Sequence, residues 1–161
     1  MHKQGTAAIA ALILGLGTAG DAGAVTKTAT LGITVAVQSA CSVTGGTLDF
    51  GTYTAGQSTD KDAQMNIAYT DCGPGTITLE LDGGGAGDTA ARKLRSGSNL
   101  MNYNLYKDSA RASLLGSGAS GRTNTLTAIT SGTFAVFGRV PRSQAAPAGT
   151  YTDTVNITLT F

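Results

Sequence analysis

Histidine is almost missing from this 161-residue chain, which has only His2, and tryptophan is absent altogether. Beyond position 2, general acid–base chemistry and the Ser–His or Cys–His nucleophilic arrangements therefore lack their imidazole. A zinc site is excluded on the same ground, because only Cys41 and Cys72 remain as nitrogen or sulfur ligands. Charge is scarce as well: 13% of residues are charged, and 11 Lys plus Arg nearly balance 10 Asp plus Glu. A usual soluble domain carries roughly 25%. Without a basic excess, no nucleic-acid partner is expected. No window holds an amphipathic helical period for three turns. There is no G-x-x-x-x-G-K phosphate loop and no G-x-S-x-G nucleophile elbow.

The weaker motifs also fall away. Ser58-Thr59-Asp60-Lys61 fits the serine–lysine pattern S-x-x-K. It has no S-D-N or K-T-G companion, and its surroundings do not favour the helix such a motif needs, so a polar loop is expected. Asp60 and Asp62 flank Lys61 without EF-hand spacing and read as a solvated turn. The glycine run between Asp82 and Asp88 has the composition of a calcium-binding β-roll but occurs once and misses the repeat spacing. Asn156-Ile157-Thr158 matches the glycosylation acceptor pattern inside an expected strand. The reading is that this is not an enzyme and needs no cofactor.

What is present is glycine, 23 residues of it, together with many threonines and short alternating apolar stretches. That mixture favours sheet and turn over helix. Leu31, Ile33, Val35 and Val37 occupy every second position, with Thr30, Gly32, Thr34 and Ala36 between them. This is a period-two strand with one apolar face. Cys41 and Val43 continue as a short strand, and Gly45-Gly46 is expected to turn the chain toward Leu48 and Phe50. Met65, Ile67 and Tyr69 alternate, as do Ile77, Leu79 and Leu81, and Met101, Tyr103 and Leu105. Residues 82–88 are expected as a loop, 89–96 as a brief helical turn, and 126–129 and 134–140 as further strands. In the final stretch, 151–161, Val155, Ile157, Leu159 and Phe161 share one face. Many short strands broken by turn signals predict an all-β sandwich.

The first residues read as a leader. A short polar start with Lys3, an apolar stretch from Ala7 to Leu16 and the small-x-small pattern Ala22-Gly23-Ala24 fit a signal peptide over 1–24. The apolar run is shorter than the ~20 residues that span a bilayer. In an exported chain the pair Cys41 and Cys72 is expected to form a disulfide. Closing a loop of about 30 residues stabilises by roughly 3–4 kcal/mol on the chain-entropy model.

A set of ordered motifs resembles a known family. Cys41 with Leu48-Asp49-Phe50-Gly51 comes first, then Cys72-Gly73, then Tyr103-Asn104-Leu105-Tyr106-Lys107-Asp108 with Arg111. Gly138-Arg139-Val140-Pro141, Pro147-Ala148-Gly149-Thr150-Tyr151-Thr152-Asp153 and Phe161 complete the series. The chain is similar to the spore coat protein U domain family, the pilin type of archaic (Csu-like) chaperone–usher pili. It departs from the family pattern at Leu115-Gly116, where Trp-Gly is common, and at Arg92-Lys93-Leu94, where Arg-x-Met is common.

The resemblance implies an incomplete immunoglobulin-like β-sandwich lacking its final strand, completed by a donor strand from a neighbouring subunit. Residues 25–39 would be the donor segment, with Leu31, Ile33, Val35 and Val37 as its anchors, and 40–161 the sandwich domain. Val155, Ile157, Leu159 and Phe161 would line the acceptor groove and meet the chaperone. The implied partners are a periplasmic chaperone, an outer-membrane usher, and copies of itself or related pilins. The implied place is an extracellular pilus reached through the periplasm, serving adhesion and biofilm formation. Alternation alone leaves the partner of 29–37 open. The alternative is a monomeric secreted coat or binding protein whose own N-terminal strand completes the sandwich.

Overall fold

The computed structural model describes residues 26–38, 40–118, 122–127 and 130–161. The expected leader, 1–24, lies outside the described residues, as do Gly121, Ala128 and Ile129 of the expected loops and strands. The chain divides into a unit up to Ala36 and a unit from Val37 to Phe161. In the first, residues 26–36 are exposed and carry no strand. An isolated β-segment is not defined by its own pattern, since ladder hydrogen bonds from a neighbour are what make it a strand.

The second unit is built of strands β1 (Ser42–Thr44), β2 (Lys61–Thr70), β3 (Thr76–Leu81), β4 (Lys93–Ser96), β5 (Asn99–Asn102), β6 (Asn104–Tyr106), β7 (Asn124–Thr127), β8 (Gly132–Val140) and β9 (Ile157–Thr160). One sheet has the order β1-β2-β8-β6, a second β7-β3-β9, and β4-β5 form a separate hairpin. Each strand pair within them is antiparallel. Alternation decides which face is buried. Ile67 and Tyr69 of β2 and Phe134, Val136 and Val140 of β8 turn inward, as do Ile77, Leu79 and Leu81 of β3. They form one core with Met101, Tyr103 and Leu105. The Tyr69 and Phe134 rings meet at 5.0 Å. Each large aliphatic buried this way contributes about 1.5–3 kcal/mol.

The structure corrects several local expectations. Residues 93–96 are a strand, because Gly97 and Ser98 close a two-residue hairpin onto β5, with Gly97 at φ 60° where a side chain would be strained. Gly45 and Gly46 make no turn; the chain runs on past them. The final strand is confined to 157–160, since Thr152 bridges to Arg95 and leaves the second sheet. Asp60 and Asp62 are not a solvated turn. Asp62 stands opposite Arg139 in the β2–β8 ladder, and both carboxylates pair with that guanidinium.

Candidate binding groove at the sheet edge

The disulfide forms as expected, joining Cys41 to Cys72 with an S–S distance of 2.06 Å. It ties the entry of β1 to the turn after β2, where Cys72 is buried and its amide donates to the Thr130 carbonyl. From β1 the chain continues through residues 45–53 along the side of the core. Gly138 leaves the space for this: a side chain on β8 there would collide with Leu48 and Phe50.

β9 pairs with β3 and ends its sheet, while β1 ends the other. A groove opens onto the core between the chain that follows β1 and the stretch that leads into β9. One part is a cavity of about 310 Å3 with Gly46, Leu48 and Phe50 on one lip and Val155 and Ile157 on the other. Met65, Ile67 and Val136 form its floor. The groove continues into a larger space of about 680 Å3 between residues 47–53 and 146–153, above Leu94, Met101 and Val140. Leu48, Phe50, Leu94 and Asp153 line both parts.

Of the four expected acceptor residues, Val155 and Ile157 line the groove. Leu159 is half-buried against the core and stands opposite Leu79. Phe161 is 58% exposed and lies outside the lining of either cavity. The expected donor residues Leu31, Ile33, Val35 and Val37 are 84%, 84%, 86% and 90% exposed. Four aliphatic side chains in water on one face are a liability for a soluble surface.

A polar network supports the groove, and sequence reasoning missed it. Arg92 has no exposed surface. Its guanidinium donates to the carbonyls of Leu81, Asp82 and Thr89 at 2.8–3.1 Å. Burial works against its charge and lowers its pKa, while Tyr103, Asp82 and Asp153 favour the charged form. Burial alone would raise the Asp82 carboxyl, but hydrogen bonds from Gly84 and Asn156 and the charge of Arg92 hold it below its ordinary value. The Asn156 side chain of the glycosylation-like triplet donates to Asp82 Oδ2 at 2.6 Å. Tyr103 donates to Asp153 Oδ2 at 2.7 Å, and burial together with that carboxylate pushes its hydroxyl far up. Asp153 Oδ1 accepts the Gly85 and Thr154 amides. The 82–88 glycine run is thus a corner packed on Asp153, and the sequence showed Arg92, Tyr103, Asp153 and Asn156 only as members of separate motifs.

The arrangement offers an apolar slot with residues 46–50 on one side and the stretch that leads into β9 on the other. Such a slot suits an extended chain that supplies backbone hydrogen bonds to an edge and alternate side chains to the floor. Among the described residues, no group of three or more His, Cys, Asp or Glu side chains could hold a metal.

The Spore Coat Protein U domain family matches residues 27–158. Protein U of Myxococcus xanthus is 34% identical over 158 residues, covering 86% of this chain and 87% of that protein. Among solved structures, a chain of the chaperone–tip adhesion subunit pre-assembly complex CsuC–CsuE from the archaic chaperone–usher Csu pili of Acinetobacter baumannii aligns with a TM-score of 0.58 at 20% identity. The alignment covers 78% of this chain and 40% of that one, so this chain spans well under half of its length. The P pilus rod subunit PapA aligns with a TM-score of 0.53 at 18% identity, over 74% of this chain and 97% of that chain. At these identities the structural matches establish the fold.

Proposed function

Because the chain belongs to the Spore Coat Protein U domain family, we propose that it is a structural subunit of a surface pilus, assembled along the chaperone–usher route by donor-strand exchange. Two observations carry the reading: the open groove between residues 46–50 and 153–157, and the four exposed aliphatics that alternate at 31–37. In this mechanism a periplasmic chaperone first covers the groove with a strand of its own. An outer-membrane usher then brings up the next subunit, whose Leu31, Ile33, Val35 and Val37 replace it. Burying four such side chains contributes roughly 6–12 kcal/mol before ordering costs. Backbone hydrogen bonds along the edge add to it. The contact is head-to-tail, so it propagates as a filament instead of closing. Such a fibre on the cell surface would serve adhesion and biofilm formation.

A second reading has its own support. This is a monomeric secreted coat or binding protein whose own N-terminal strand completes the sandwich, and the family's description, Spore Coat Protein U domain, suits the coat role. One experiment separates the two. Material sheared from the cell surface is run on a denaturing gel with and without boiling. A ladder that collapses on boiling is the expected result; a monomer band alone in both lanes rejects the fibre.

A further inference from the structure

Gly45 and Gly46 follow β1 where the chain packs closely against Ile157 and Met65 of the groove. Neither glycine has a positive φ, so backbone freedom does not explain them. Space does. A Cβ on Gly45 would stand 2.9 Å from Ile157 Cδ1, and one on Gly46 would stand 3.2 Å from Met65 Cε. Ile157 and Met65 both line the smaller cavity, and so does Gly46. A side chain at either position would therefore push a groove residue from its place, and the open space beside those residues is the cavity itself. The displaced atoms are ends of flexible side chains, so the fold can absorb the change while the cavity shrinks.

We infer that Gly45 and Gly46 set the size limit of one acceptor subsite, admitting a large aliphatic donor side chain from a second copy of this chain. The occupant is one of Leu31, Ile33, Val35 and Val37, the exposed alternating face of the chain itself. This inference rests on the donor-strand reading above. Bare backbone at 45–46 also leaves the lip free for an entering strand to approach closely.

The test uses the full-length chain, expressed with its assembly partners, and reads polymer on unboiled gels against disulfide-bonded monomer in the periplasm. Gly45→Ala is expected to cut the polymer by about tenfold or more, the scale on which overpacking a close-packed site acts, with monomer unchanged. It is then combined with Leu31→Ala, Ile33→Ala, Val35→Ala and Val37→Ala in turn. One of the four is expected to restore polymer, because a smaller donor side chain fits the narrowed subsite; the one that does so identifies the register. Polymer at wild-type level in Gly45→Ala, or restoration by none of the four, overturns the size limit. If Gly45→Ala lowers the monomer instead, Gly46→Ala takes its place, since Met65 need yield only a few tenths of an ångström, and the same outcomes decide. Failure of the donor reading is read separately: polymer that survives Ile33→Asp in the unaltered groove rejects that reading, whatever the glycines do.

Discussion

Arg92 has no exposed surface, and its donors satisfy three carbonyls at the corner where residues 81–89 turn. Removing the guanidinium strands those carbonyls in the core without returning them to water. Arg92→Met is therefore expected to destabilise the subunit by about 2–4 kcal/mol, measured by urea unfolding; a loss under half of that would place the carbonyls in contact with solvent. Asp62 makes a different kind of claim. Arg139 grips it with two hydrogen bonds, Nε to Oδ1 at 2.7 Å and Nη2 to Oδ2 at 2.8 Å. That bond, with Arg111 nearby, holds the carboxyl below its ordinary value against a partial desolvation cost. A carboxyl depressed in the folded state stabilises fully above its unfolded pKa of about 3.9 and loses that contribution as pH falls through the lower, folded value. Stability is thus expected to fall below roughly pH 4, and Asp62→Asn should flatten part of that fall; an unchanged pH profile would sever the link. Neither role was legible in the residue order. Asp62 sits beside Lys61 in sequence, and only the β2–β8 register brings it to Arg139.

Strands decide the next scale. β1 has three residues and pairs only with the end of β2. The disulfide does most of the fastening there, covalently joining Cys41 to the turn that starts β3. Reduction, or Cys41→Ser, is expected to lower stability by roughly 3–4 kcal/mol and to lower the periplasmic yield; wild-type yield from Cys41→Ser would show that β1 holds without it. At 29–37, periodicity predicts a face and not a partner. On the donor reading Ile33→Asp should abolish polymer while the subunit still binds its chaperone, and Thr34→Asp, on the other face, should be milder. Equal effects of the two would mean that the faces are assigned wrongly. The last strand shows the limit of pattern most clearly. Residues 151–161 alternate throughout, yet Thr152 pairs with Arg95 beside the hairpin, and only 157–160 join β3. Alternation records exposure on two faces, and it cannot tell which neighbour supplies the ladder.

The unit from Val37 to Phe161 is a sandwich in which β1 and β9 each end a sheet, and its core stays open along a groove between residues 46–50 and 154–157. A junction formed there would be mostly apolar, on a chain of net charge +1. The ladder of unboiled polymer is therefore expected to persist in 1 M salt, where exposed ion pairs are screened within about 3 Å, and to vanish on heating; dissolution by salt alone would point to an electrostatic contact. Composition and alternation were enough to determine the all-β class, the buried faces of β2 and β3 and the pairing of Cys41 with Cys72. Those properties depend on neighbours close in sequence, or on the total stock of side chains. Tertiary structure alone decided the rest. It bound Asp62 to Arg139, sealed Arg92 beneath a glycine corner, and showed Gly45-Gly46 to be a close approach to Ile157 and Met65 where a turn had been expected. The first and last join residues distant in the chain, and Arg92 reaches back across a corner to carbonyls 3 to 11 positions away; strand register and sheet packing set these contacts, and no local pattern encodes them.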